Sequence, residues 1–335
     1  MSKITMESIA IELGVSKNTV SRALRGLSGV SDDVRQKVVT LAENSGYQVK
    51  VRNDPLYNIV MVHRKILTED LTFWPVVLSG IMTFAADKGI SIRVITIDNE
   101  NSNGSQLKAI KEQNCDGFLA VSDMDDKILR QLAEINLPTV VVDYHSDVAD
   151  FDYVITANRN GIFKAISHLA ENNHTRIGFI GNKANRYSYR MRYAAYRFYM
   201  EEFGFSIDEE NIWPDVEYND YDFFRKKIDE LTDGESKDKS KLATAYLCVN
   251  DVVAVDFAHV LKERGYAIPG DISIIGFDNI VYPGGKLFTT LDVKKPDLGK
   301  RAVEQLLARI SNPSKAFETV SITTTLIQRD SVKKL

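Results

Sequence analysis

The sequence predicts an N-terminal all-α helix-turn-helix headpiece followed by two doubly wound α/β lobes. Three observations carry that reading. Thr5 to Leu24 holds two short helical patterns joined by Gly14-Val15-Ser16. From Tyr57 onward, Val/Ile-rich runs alternate with longer amphipathic ones. The chain has 335 residues, more than one domain normally uses, and its 44% hydrophobic and 26% charged residues are those of a globular protein. No apolar run approaches the roughly 18 residues of a membrane span, and no basic-then-apolar leader opens the chain, so a cytoplasmic location is expected.

In the first helix Ile9, Ala10 and Leu13 recur at helical spacing behind Thr5, which can cap it. Gly14 supplies the turn, and Ser16 caps a second helix whose Val20, Ala23 and Leu24 face inward. Lys17, Asn18, Ser21 and Arg22 project from its start and outer side. These are donors, not acids, and they suit a major groove: Asn pairs with adenine, Lys or Arg with guanine, and small hydroxyls hold phosphates. A third helix follows, with Ser31 before Asp32 and Asp33, an apolar stripe of Val34, Val38 and Leu41, and Gly46 at its close.

The lobes then read in order as YNIVMVH, PVVLSGIMTFAADKG, ISIRVITI, SQLKAIKEQN, DGFLAV, DKILRQLAEI and PTVVVD. The second half continues with YVIT, GIFKAISHLAENN, RIGFIG, a helical run from Arg190 to Phe203, ATAYLCV, VVAVDFAHVLKERG and ISIIGFD. Continuous apolar strands between helices mean parallel sheets buried on both faces. The lobes divide near residue 145, with a recrossing around Leu287 to Lys295. The polar stretch 232–241 reads as a solvated loop.

Ligands of such sheets sit beyond the carboxyl ends of the strands, and two facing lobes make a cleft. The residues there are Phe73, Trp74, Ser122, Asp123, Asp143, Tyr144, Asn185, Arg186, Ser188, Arg192, Tyr218, Asn250, Asp251, Phe277 and Asp278. Within this set Phe277 reads as packing, Asp123 as part of a solvated SDMDDK loop and Asp251 as either a cleft residue or a helix cap. Flat aromatics with Asp and Arg, each offering two-point contacts, suit a polyhydroxylated or heterocyclic small molecule.

Net charge is −4, yet residues 1–50 hold seven Lys/Arg against five acids, leaving +2 on the headpiece and −6 on the remainder. A mild local excess fits a module that binds DNA in paired copies. Cys115 and Cys248 read as reduced core thiols. No metal site, cofactor or catalytic residue is expected: the five histidines form no ligand-spaced pair, and GxSxG, GxxxxGK[ST], GxGxxG and HExxH are all missing from the sequence. The rival readings are a solute-binding module, which would need an export signal and no headpiece, and an α/β enzyme with a helical appendix.

The order ITMESIAIELGVSKNTVSRAL, then GVSDDVRQKVVTLAENSGY, resembles the LacI/GalR family of bacterial transcriptional regulators. The rest resembles that family's effector domain, similar to a periplasmic sugar-binding protein, through VVVDYHSDV, HLAENNHTRIGFIG, NRYSYRMRYAAYR and VNDVVAVDFAHVLKERGYAIPGDISIIGFDN. The resemblance implies base reading by Lys17, Asn18 and Arg22, phosphate contacts from Ser16, Thr19, Ser21 and Ser31, and Thr5 among the DNA-binding set. It implies effector contacts from Trp74, Asp143, Arg186, Ser188, Arg192, Asn250 and Asp278, to which the strand-end reading adds Phe73, Tyr144 and Tyr218. The expected organisation is a headpiece over 1–47, a linker over 48–56 and an effector-binding and dimerisation domain over 57–335.

Two departures stand out. After Tyr47 comes QVKVRNDPL instead of the family's Tyr-x-Pro-Asn and Ala-Arg-x-Leu hinge helix, so Val49, Val51 and Asn53-Asp54-Pro55 predict an extended tether, with Lys50 and Arg52 near phosphates. Thr156-Ala157 stands where the family often has Asp-Asn, so one polar contact is either missing or moved to Asn158. The expectation is a homodimeric, sequence-specific regulator, in such families most often a repressor. It would act on double-stranded operator DNA under a small-molecule effector, expected to be sugar-like in preference to a purine.

Overall fold

A computed structural model describes residues 5–24, 29–45, 47, 56–64, 72–97, 115–181, 186–232, 239–281 and 288–335. The linker reading with Lys50 and Arg52, the helical run expected at 105–114, Gly46 and Asn185 lie outside them.

The headpiece comprises α1 (Met6–Leu13), α2 (Lys17–Leu24) and α3 (Asp32–Asn44). Thr5 and Ser8 exchange side-chain and backbone hydrogen bonds in a capping box at the start of α1, and Gly14, at φ 64°, ends the helix in the left-handed region. Ser16 Oγ accepts from Thr19 N at 3.0 Å, and Ser31 Oγ from Val34 N at 3.4 Å. Ile9, Ala10, Val20, Ala23, Val38 and Ala42 close one small core.

The remainder is two sheets sandwiched by helices. The first is parallel throughout, in the order β11-β5-β4-β3-β1-β2, from β1 (Asn58–Arg64), β2 (Ser91–Ile97), β3 (Gly117–Val121), β4 (Thr139–Val142), β5 (Asp152–Thr156) and β11 (Thr319–Ile322). The second repeats the pattern as β12-β10-β9-β8-β6-β7, from β6 (Ile177–Ile180), β7 (Ile212–Trp213), β8 (Ala245–Cys248), β9 (Ser273–Phe277), β10 (Thr289–Asp292) and β12 (Thr325–Ile327). Only β12 runs antiparallel to its neighbour. Both sheets thus carry a strand-order reversal, the place where such folds bind ligands.

Helices α4 (Trp74–Asp87), α5 (Asp126–Ile135) and α10 (Lys295–Ser311) cover the first sheet; α6 (Asn158–Glu171), α7 (Tyr187–Glu202), α8 (Tyr221–Thr232) and α9 (Asp251–Glu263) cover the second. Gly299 lets α10 lie directly on α4, since a Cβ there would sit 2.2 Å from the Val77 carbonyl.

The lobe boundary expected near residue 145 is corrected to Ala157. Tyr153 to Thr156, read as the opening strand of the second lobe, pairs with β4 and completes the first. The polar segment after Asp143 is a loop within that lobe, held back by Tyr153 Oη donating to the Ser146 carbonyl at 2.6 Å. The chain also crosses three times, not twice: at Ala157, between β10 and α10, and between β11 and β12. Ala157 N donates to the Ile322 carbonyl at 2.9 Å, joining the first and third crossings.

Candidate functional site

On α2, Lys17 and Asn18 are exposed and Thr19, Ser21 and Arg22 half-buried. Lys17 pairs with Glu7 at 3.0 Å in an exposed contact easily exchanged for phosphate. Ser16 and Thr19 hydroxyls bond each other at 2.8 Å, which orients both at the helix start. Arg22 instead turns toward the first lobe: its Nη1 lies 3.3 Å from Asp116 Oδ1 and its guanidinium 5.6 Å from the Tyr57 ring centre. Asp116 is itself held by Asn58 N, which donates to its Oδ2 at 2.8 Å.

Between the lobes the strand ends converge. Phe73, Trp74, Asp123 and Asp143 from the first lobe face Arg186, Ser188, Tyr189, Arg192 and Asp278 from the second, enclosing only about 10 Å³ of free space. Arg192 is the centre. Its Nε donates to Asn158 Oδ1 at 2.8 Å, its Nη1 to the Val249 carbonyl at 2.6 Å and its Nη2 to Asp278 Oδ1 at 3.0 Å. The guanidinium lies 3.7 Å from the centre of the Phe277 ring. Gly161 makes room for that ring, because a Cβ there would come within 2.7 Å of it. Phe277 therefore packs, as read, and by packing fixes Arg192.

The carboxylates differ in character. Asp143 accepts from Thr156 N at 3.0 Å, and complete burial pushes its pKa up against that bond and the Arg192 charge. Asp123 is likewise raised by burial. Asp143 (φ 53°) and Asp278 (φ 96°) both hold left-handed backbone at the ends of their strands. Trp74 Nε1 is buried without an acceptor among the described residues. The arrangement thus offers carboxyl groups, two guanidinium groups and ring faces within one small space.

Of the residues expected in the cleft, Phe73, Trp74, Asp143, Arg186, Ser188, Arg192 and Asp278 line it together. Asn250 and Tyr218 stand one layer behind: Asn250 Nδ2 donates to both Tyr189 Oη and Tyr218 Oη at 2.9 Å. Tyr144 stays at the margin, edge-on to Tyr187 at 5.9 Å. Asn158 does not line the cleft but accepts from Arg192 Nε at 2.8 Å and so orients that side chain.

Three residues escaped the sequence reading. Asp123, set aside as solvated, accepts from Tyr187 N at 2.8 Å and so caps a second-lobe helix from the first lobe. Its signal was its place two residues past a strand end. Tyr189 carried no signal beyond lying in an aromatic-rich helix. Lys295, from the second crossing, donates to the Asp278 carbonyl and lies 5.7 Å from the Phe73 ring centre. Asp251 is corrected: Asn250 is the cap of α9, accepting from Val253 N at 3.0 Å, while Asp251 accepts from Thr290 Oγ1 at 2.7 Å and Ile280 N at 2.9 Å. Both cysteines are free thiols. Among the described residues no helix is long and apolar enough to cross a membrane, and no His, Cys, Asp or Glu cluster is placed to hold a metal.

Comparison with known proteins agrees with this geometry. Residues 5–49 match the model for bacterial regulatory proteins of the lacI family, and residues 166–332 the model for a periplasmic binding protein-like domain. The chain is 25% identical to the HTH-type transcriptional repressor PurR of Mannheimia succiniciproducens and 26% to the ribose operon repressor of Haemophilus influenzae, each over 99% of both chains. Among solved structures it is similar to a complex of the transcriptional regulator CelR with cellobiose (TM-score 0.68, 23% identity, 98% of this chain and all of that one). It is similar also to the lac repressor dimer bound to operator (TM-score 0.69, 20% identity, 99% of this chain and all of that one).

Proposed function

The chain belongs to the LacI family of DNA-binding bacterial regulatory proteins, and we propose that it is a homodimeric repressor whose operator affinity is set by a sugar or sugar derivative bound between its lobes. Residues 1–47 form the reading head, 48–56 the tether and 57–335 the effector-binding and dimerisation unit. Lys17, Asn18 and Arg22 read bases, while Thr5, Ser16, Thr19, Ser21 and Ser31 position the head on phosphates.

The observation that carries the effector reading is the buried Arg192–Asp278 pair, 3.0 Å apart, facing Asp143 and Trp74 across the cleft. Adjacent donors and acceptors match vicinal hydroxyls, and the indole face matches the C–H face of a pyranose or furanose. A space of about 10 Å³ admits no sugar, so binding requires the lobes to part and reclose around it. That motion alters the setting of paired headpieces; a coupling of ~1–3 kcal/mol gives several-fold to hundred-fold control.

A purine base is the second reading, favoured by the ring edges that Asp and Arg can grip and by the likeness to repressors named PurR. A thermal-shift screen of the full chain with ribose, cellobiose and hypoxanthine separates the two, run beside gel retardation of the DNA upstream of its own and neighbouring genes. Stabilisation by a sugar that also alters retardation supports the first reading. Response to hypoxanthine alone replaces it by the second, and failure to retard any fragment with or without ligand removes the repressor assignment.

A further inference from the structure

The cleft is not the largest cavity among the described residues. A trough of about 560 Å³ lies behind it, between the first crossing and the outer faces of α6 and α7. Phe163, Met191, Phe198 and Tyr199 form its apolar wall. Phe163 and Phe198 are each 42% exposed, an unusual display of large side chains clustered in one concavity of a soluble protein. One end is polar and positive. Arg159 lies 4.4 Å from the Phe198 ring centre, and its Nε donates to Tyr199 Oη at 3.2 Å. No other hydrogen bond or ion pair of its guanidinium is seen among the described residues. The N-terminus of α6 opens at the same end with no side chain capping it, so its first N–H groups add to the positive field.

We propose that this trough is a second ligand site for an amphipathic organic anion, an aryl or branched-alkyl carboxylate. The apolar body lies along Phe163, Met191 and Phe198, and the carboxylate meets Arg159 and the start of α6. Its volume falls in the range of about 300–1,000 Å³ usual for small-molecule sites. The site is linked to the cleft through two of its own residues. Asn158 lines the trough and accepts from Arg192 at 2.8 Å; Thr156 lines it and donates its N–H to Asp143 at 3.0 Å. An occupant therefore bears on the two residues that hold the cleft's central cation and carboxylate.

The test is calorimetric titration of the full chain with 4-phenylbutyrate and with its neutral counterpart 4-phenylbutan-1-ol. Expected is one site per chain, with the acid bound at least tenfold more tightly than the alcohol. Ala194→Trp, at an exposed position of the trough wall, places an indole in the space and raises the Kd for the acid at least tenfold. Arg159→Gln leaves alcohol binding unchanged and brings the acid down to the same affinity, so the conclusion does not depend on the bulkier variant folding. No saturable binding, undiminished binding in a folded Ala194→Trp protein, or equal affinity for acid and alcohol in the unmodified chain overturns the proposal.

Discussion

Arg192 concentrates the chemistry of the cleft in one side chain. Three hydrogen-bond acceptors and one ring face fix it, so its removal leaves Asp278 buried without its counter-charge. Arg192→Ala is expected to abolish the effector response while operator retardation persists; an unchanged dose-response curve would take it out of the site. Asn18→Ala should relax base preference yet keep most nonspecific affinity, because phosphate contacts supply the latter, whereas a uniform loss on all sequences would contradict base reading. Asp251 gives a pH signature. Burial raises its pKa from 3.8 to about 7 in the folded chain, so the neutral form favours folding. Its contribution, on the order of 4 kcal/mol, is complete below about pH 4 and is lost as pH rises through 7. The melting temperature should therefore fall between pH 5 and pH 8, and Asp251→Asn should flatten that slope; an equal slope in the variant would show that other groups titrate there. Asp143 and Asp278 were legible because each follows an apolar strand run. Asp123 was not, since an acid inside SDMDDK looks like solvated surface until Tyr187, sixty-four residues later, is brought against it.

Among the elements, α2 shows what local pattern cannot reveal. Its apolar spacing and caps were readable from 5–24, but its contact with the first lobe through Arg22 and Asp116 joins residues 94 apart in sequence. An arginine engaged by Asp116 is not engaged by a base, so if Arg22 reads bases as proposed, lobe and DNA would compete for it. Asp116→Asn keeps an acceptor for Asn58 N and removes the charge. Operator affinity should rise roughly two- to fivefold, a modest gain for releasing a largely buried ion pair; unchanged affinity in gel titration would show that no such competition operates. Strands with continuous Val and Ile were also readable. The Thr-rich β10, β11 and β12 and the two-residue β7 were not, because each is defined by its partner strand and not by its own apolar run. The boundary at Ala157 was misplaced for the same reason: β5 belongs to the first lobe only through pairing with β4.

At the scale of the whole molecule, three crossings tie the lobes along one edge, and Ala157 N to Ile322 carbonyl joins two of them. The lobe opening proposed above would then be a rotation about that edge. Ligand-free and ligand-bound chains should thus differ in small-angle scattering by a rigid-body rotation with intact lobes, while equal curves under saturating effector would argue against coupling through lobe setting. Two doubly wound lobes were foreseeable from alternating strand and helix patterns; their strand order and the third crossing were not, since nothing in residues 312–327 announces which sheet each short strand joins.

That shared edge also sets a timetable for biosynthesis. The first lobe begins at Asn58, yet it takes its helix α10 from residues 295–311 and its last strand from 319–322. A nascent chain emerging from the ribosome therefore cannot finish its N-terminal half until nearly every codon has been read, and the two halves mature together at the end of translation. Stalled or prematurely terminated products ending near Ser311 should leave Asp152 beside an unpaired edge of β5 and be cleared as unfolded polypeptide, with no intact half surviving limited proteolysis.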